Sequence, residues 1–224
     1  MKKRCLFLAL WLLLAVGAPA AAQTGWLFGG EVRGGVAWIS PRPAASGISM
    51  DNEAAFTVDY TQRFGRFFAM NLNYLYTNLS IASQAPSWWS PYSVKERFPT
   101  QSFTLSLQVH FGKGKVDPYV GAGFNVLYSQ PNAGKVIYVP GGYLTPAGGW
   151  GSGYVGPAFQ AGITFNPTGV FVINVEARYV DNGLGMDRYA ATTSGPGGWL
   201  YYRTGSYKLE VKPVTVGVSA GVRW

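Results

Sequence analysis

Eight segments of this chain alternate apolar and polar residues with a period of two, and in each the apolar row carries no charged residue. Period two is the mark of a β-strand, whose successive side chains point to opposite faces. In 26–39 the apolar row reads Trp26, Phe28, Gly30, Val32, Gly34, Val36 and Trp38, with Glu31 and Arg33 between them. In 55–63, Phe56, Val58 and Tyr60 alternate with Asp59 and Arg63. The same pattern recurs in 68–76, 103–111, 120–128, 158–165, 171–179 and 214–224, where Glu176, Arg178 and Arg223 again fall on the polar row.

Two architectures produce such strands. In a soluble sandwich or lipocalin-like barrel the apolar row forms the core. In a membrane barrel the order inverts, with apolar side chains in lipid and polar ones in the lumen. Three features favour the membrane. The segments match the ~9–11 residues that a tilted strand needs to cross a bilayer. The connections alternate, with long ones at 40–54, 78–101, 129–153 and 181–207 and short ones at 64–67, 112–118 and 166–170. Aromatic residues gather at both ends of the apolar rows, Phe68, Phe111, Phe165, Phe171 and Trp224 at one and Trp38, Tyr74, Tyr76, Tyr128 and Tyr179 at the other. Such belts suit the two water interfaces. The expected fold is therefore all-β, an eight-stranded antiparallel up-and-down transmembrane β-barrel with short periplasmic turns and long extracellular loops.

The N-terminus carries its own signal. Lys2, Lys3 and Arg4 precede an apolar run from Leu6 to Val16, and Pro19-Ala20-Ala21-Ala22 supplies small residues before Gln23. This reads as a secretory signal peptide over residues 1–22, followed by a barrel over 23–224. Removing it lowers the formal charge from +8 by three basic residues and takes away Cys5, the sole cysteine. Export to the cell outer membrane makes nucleic acid an unsuitable partner. One cysteine and one histidine leave no basis for a metal site, and no cofactor motif is present. A lipid hydrolase or acyltransferase would need a histidine near the outer leaflet, yet His110 falls at the periplasmic end of its strand, so the chain reads as a non-enzyme. The terminal Trp224, on an outward row with Val216, Val218, Ala220 and Val222, looks like the signal that barrel assembly machinery recognises.

An eight-stranded barrel is just wide enough for side chains to fill. Glu31, Arg33, Asp59, Arg63, Glu176, Arg178 and Arg223 should pair across its lumen, because an unpaired buried charge costs several kcal/mol. Towards the loop end the inward residues turn apolar: Ala37 and Ile39 on the first strand, Leu75 on the third, Leu127 on the fifth, and Leu209 and Val211 on the eighth. Polar below and apolar above suggests a hydrophobic pocket that opens outward over an ionic floor. Pro99, Pro157 and Pro213 each remove a ladder hydrogen bond, which could end a strand or open a gap in the wall.

Four motifs give these features a family setting. Pro118-Tyr119-Val120-Gly121-Ala122-Gly123-Phe124-Asn125 resembles the PYVGAGxN run of the OmpW family of small outer-membrane barrels. Pro99-Thr100 with Leu105, Gln108, Val109 and His110, Gly156 to Gly162, and Asn174 to Asp181 resemble three further strands of that family, in the same order. Where the family often has two prolines, this chain has Phe98-Pro99. The resemblance implies passive uptake of small hydrophobic solutes, which leave sideways into the bilayer through a wall opening at Phe98 and Pro99. The alternative is a structural or surface-interaction barrel. Its loop aromatics (Trp88, Trp89, Trp150 and Trp199 to Tyr202), with Lys95, Arg97, Lys135, Arg188 and Arg203, would bind a partner or the lipopolysaccharide of the surrounding outer-membrane lipid.

Overall fold

The computed structural model describes residues 29–42, 48–84, 93–112, 114–129, 137–139, 142–146, 154–193 and 199–224. Eight strands form the barrel wall: β1 (Gly30–Ser40), β3 (Glu53–Phe64), β4 (Phe68–Gln84), β5 (Ser93–His110), β6 (Val116–Ser129), β9 (Tyr154–Phe165), β10 (Phe171–Val180) and β13 (Val214–Arg223). Each pairs antiparallel with its neighbours, and β4–β5 and β1–β13 pairing closes the ring. The remaining strands belong to the long connections: β2 (Ile48–Met50), β7 (Ile137–Val139), β8 (Gly142–Pro146), β11 (Asn182–Thr193) and β12 (Trp199–Val211).

Side-chain direction follows the alternation. Leu107, Val36 and Phe124 are 69%, 66% and 66% exposed, whereas Glu31, Asn73 and Asn125 are fully buried. Burial of ions beneath an apolar exterior is stable only where that exterior meets hydrocarbon. The short turns are set by glycine. Gly65, Gly114 and Gly169 have φ of 68°, 113° and 87°, a region that costs other residues steric strain. In the β9–β10 turn, the Gly169 N–H donates to Asn166 Oδ1 at 2.7 Å and the Phe171 N–H to Thr168 Oγ1 at 2.9 Å. The β1–β13 seam is tied at Trp224, whose N–H donates to the Gly30 carbonyl at 3.0 Å and whose carbonyl accepts from the Gly30 N–H at 3.2 Å. The indole then covers Gly30 and lies 6.5 Å from the Tyr60 ring, and a side chain at position 30 would collide with it.

Three expectations about the long connections need correction. Segments that read as loops are largely strand: β4 continues to Gln84 and β5 starts at Ser93, paired throughout from Phe68↔Val109 to Gln84↔Ser93. The pattern hid them because it inverts above the bilayer. There Leu79, Ile81 and Phe98 point inward, while Asn78, Lys95 and Arg97 are exposed. Leu209 and Val211 lie on β12 rather than on the last wall strand, and Pro213 sits in the link between β12 and β13, so it takes no bond from the wall. Pro157 does lie within β9, opposite Phe124, and its carbonyl accepts the Asp181 N–H at 3.0 Å.

Candidate functional site

The lower interior is a charge-balanced network. Glu31 Oε1 accepts from Arg63 at 2.9 Å and from Arg223 at 2.8 Å, and Glu31 Oε2 accepts from Arg33 at 3.4 Å. These residues come from β1, β3 and β13, three adjacent strands whose inward positions stack at this depth. Arg63 also donates to Asp117 Oδ2 at 2.7 Å, which lies 3.0 Å from His110 Nδ1. Higher in the barrel, Arg178 donates to Glu176 at 2.7 Å and lies 3.7 Å from Asp59. The Tyr119 hydroxyl donates to the other Glu176 oxygen at 2.9 Å. Arg33, Arg63, Arg178 and Arg223 thus face Glu31, Asp59, Asp117 and Glu176, equal numbers of opposite charge.

The seven charged residues selected from sequence occupy this network. Asp117 and Tyr119 belong to it too and escape the sequence reading, because 112–118 reads as a turn and the alternating strand as starting at 120. The signal was present: Asp117 and Tyr119 keep the two-residue phase of Gly121 and Gly123, inward positions of the following strand. His110 is inward, 3.2 Å from Gln108 Oε1 and stacked on Tyr119 at 5.1 Å. Side-chain amides and hydroxyls fill the space above and between the ions. Asn73 donates to Asp59 at 2.9 Å and to Thr57 at 2.6 Å, and also accepts from Arg178. Gln160 bridges Arg178 to Ser106, at 3.3 and 2.8 Å. Asn125 donates to Ser102 at 2.6 Å and Thr104 at 2.8 Å.

Above this level apolar side chains gather into clusters, with the buried hydroxyls of Thr77, Ser80, Ser83 and Thr100 at the same height. The six selected residues separate into two clusters. Ala37, Ile39 and Leu75 pack with Ala55, on β1, β3 and β4. Leu127, Leu209 and Val211 pack with Ile48, Leu79, Ile81 and Phe98, which join β6, β12, β2, β4 and β5. None of these side chains is more than 8% exposed. Phe98 belongs to the second cluster. Pro99 follows it on β5, opposite Asn78 of β4 and next to Thr100, which pairs with Ser129 of β6.

Outside the membrane zone, Lys95 is exposed and pairs with Asp51, while Lys212 lies 3.8 Å from Asp181 and 3.7 Å from Glu210. Residues 1–22, Trp26, Phe28, Trp88, Trp89, Lys135 and Trp150 lie outside the described residues, as do the side chains of Arg188, Trp199 to Tyr202 and Arg203.

A closed barrel with an apolar exterior and a neutralised ionic interior is an outer-membrane β-barrel, and the outer membrane is its location. The family model described as outer membrane protein beta-barrel domain matches residues 8–219, so the chain belongs to that family. No curated protein matches the sequence. Among solved structures, the outer membrane protein OprG from Pseudomonas aeruginosa is 16% identical with a TM-score of 0.63, covering 90% of this chain and 98% of its own. Neisserial surface protein A is 15% identical with a TM-score of 0.52, covering 87% and 95%. AlkL, solved in DMPC lipid bilayers, is 16% identical with a TM-score of 0.50, covering 89% and 92%. At these identities the likeness concerns the fold.

Proposed function

We propose that this barrel gives passive uptake of small hydrophobic molecules across the outer membrane, without catalysis. The observation that carries the proposal is the division of one interior into two compartments. The lower one is neutral in net charge and densely hydrogen-bonded, a poor path for ions or water. The upper one gathers aliphatic side chains and Phe98 from five strands, and so offers an apolar solute an environment like its own. A solute stopped by the ionic floor would leave sideways at Phe98 and Pro99. Proline has no N–H to give to a strand ladder at that point of β5. In this account residues 1–22 direct export and are removed, and Trp224 engages the assembly machinery.

Leu75→Lys and Leu127→Lys test the pocket by placing a cation in either cluster. Each should abolish uptake of an apolar solute by vesicles, while heat-modifiable gel mobility shows that the barrel still folds. Uptake equal to wild type in both folded variants would remove the upper compartment from the mechanism.

A second reading is favoured by the exposed positions of Lys95 and Arg97, which stand outside the wall on the loop side of Tyr76. They would meet anionic lipid headgroups or the phosphates of lipopolysaccharide. A loop-deleted variant that still takes up solute but no longer binds lipopolysaccharide would assign the two roles to different parts of the chain.

A further inference from the structure

The 10 carboxylate side chains divide along the barrel axis. Glu31, Asp59, Asp117 and Glu176 sit in the interior network, buried and held by arginines or hydroxyls. Asp51, Glu53, Glu96, Asp181, Asp187 and Glu210 all belong to the loop side. The short-turn end therefore has no acidic side chain outside the lumen. It does have cations. Arg66 in the β3–β4 turn and Lys115 in the β5–β6 turn are exposed, and Lys113 lies outside the described residues. Arg63 and Arg223 reach the same end, but Glu31 and Asp117 engage them from within.

The two exposed cations stand on an apolar rim. Phe64, Phe67, Phe68, Phe111 and Val116 are between 41% and 61% exposed. A band of half-exposed rings suits the boundary between hydrocarbon and water. Backbone bonds tie the neighbouring turns together. The His110 N–H donates to the Phe67 carbonyl at 2.7 Å, which sets Phe111 beside the β3–β4 turn, and the Asn166 N–H donates to the Lys115 carbonyl at 2.8 Å. The Arg66 guanidinium lies over the Phe67 ring, 5.3 Å from its centroid. That contact keeps the charge at the level of the rings, where it would otherwise extend towards water.

We propose that Arg66 and Lys115 bind the phosphate of an anionic phospholipid, of the phosphatidylglycerol type, in the periplasmic leaflet. The rings set the depth and the cations supply the charge. An acidic protein would also answer the charge. A guanidinium lying on a membrane-level ring, however, has a headgroup phosphate of the same leaflet as its nearest source of anions. Guanidinium and phosphate further match in a two-point hydrogen bond. The site is separate from both interior compartments and stands whether or not a solute passes through them.

The test reads the turns residue by residue. The refolded barrel is placed in phosphatidylcholine nanodiscs with rising fractions of phosphatidylglycerol, and backbone amide shifts are followed by NMR. The amides of Gly65, Arg66, Phe67 and Lys115 should move and saturate. The Gly169 amide, in the β9–β10 turn that carries no charged residue, should stay in place. Arg66→Ala should raise the half-saturating fraction about fivefold, the usual worth of one cation at an anionic surface, and Arg66→Ala/Lys115→Ala more than about tenfold. Both side chains are exposed, so the variants should fold, and heat-modifiable gel mobility verifies it. Amides that do not respond to phosphatidylglycerol, or a midpoint that the double variant leaves unchanged, would overturn the site. A response to soluble polyglutamate in pure phosphatidylcholine discs, with none to phosphatidylglycerol, would overturn it in favour of an acidic protein partner.

Discussion

Glu31 accepts hydrogen bonds from three guanidinium groups while wholly buried, and among the described residues Arg33 beside it has only the Thr61 and Thr164 hydroxyls as further hydrogen-bond partners, at 3.2 and 3.5 Å. Glu31→Gln keeps the shape and removes the charge. It should destabilise the barrel by about 3–5 kcal/mol, the cost of leaving a buried ion without its counter-charge. Urea unfolding of the refolded protein measures this, and a loss under about 1 kcal/mol would mean that water screens the network as it does a surface pair. The inward placement of Glu31, Arg33, Asp59, Arg63, Glu176, Arg178 and Arg223 was legible from the two-residue phase of each strand. Their partners were not, because pairing between strands distant in sequence depends on the stagger of the closed barrel. Arg63 reaches Asp117, 54 positions away, and no single strand encodes that meeting.

At the scale of the element, lipid-facing and lumen-facing positions differ in what they tolerate. Leu107 lies in the middle of the outward row of β5 and is 69% exposed in the absence of lipid. Leu107→Arg should cost about 2–4 kcal/mol in a bilayer, as expected for a cation near the midplane of a barrel's outer face. Destabilisation near zero would place this face in water. The turns give a separate test. Gly65 has a φ of 68° and open space where a side chain would go, so Gly65→Ala probes backbone strain alone. Its expected cost is about 1–2 kcal/mol in the same unfolding assay. Strands inside the bilayer could be read from sequence because one solvent, hydrocarbon, governs their whole outer row. The upper parts of β4 and β5 could not. Once the outer face meets water, Leu79, Ile81 and Phe98 turn inward, and the row that had been apolar carries Asn78 and Arg97.

For the whole molecule, closure into eight strands followed from the number of alternating segments and from the alternation of long and short connections. The second sheet did not. The sheet of β7, β8, β11 and β12 is held by backbone ladders such as Met186↔Pro146 and Tyr138↔Tyr143. Its short strands, rich in Gly, Pro and Tyr, show no sustained phase, and so its segments read as loops. The second sheet also alters what the upper compartment is. The sequence suggests a pocket open to the outside, whereas Leu209 and Val211 of β12 pack into an apolar cluster with Leu79, Ile81, Phe98 and Leu127. The account as a whole holds that apolar matter passes through the upper barrel while the ionic floor stops everything polar. The most direct test compares, in the same lipopolysaccharide-containing vesicles, the uptake of an apolar solute and of a polar solute of equal size. The account predicts that wild-type protein accelerates the first well above protein-free vesicles and leaves the second unchanged. Equal acceleration of both would mean a water-filled pore and would contradict it.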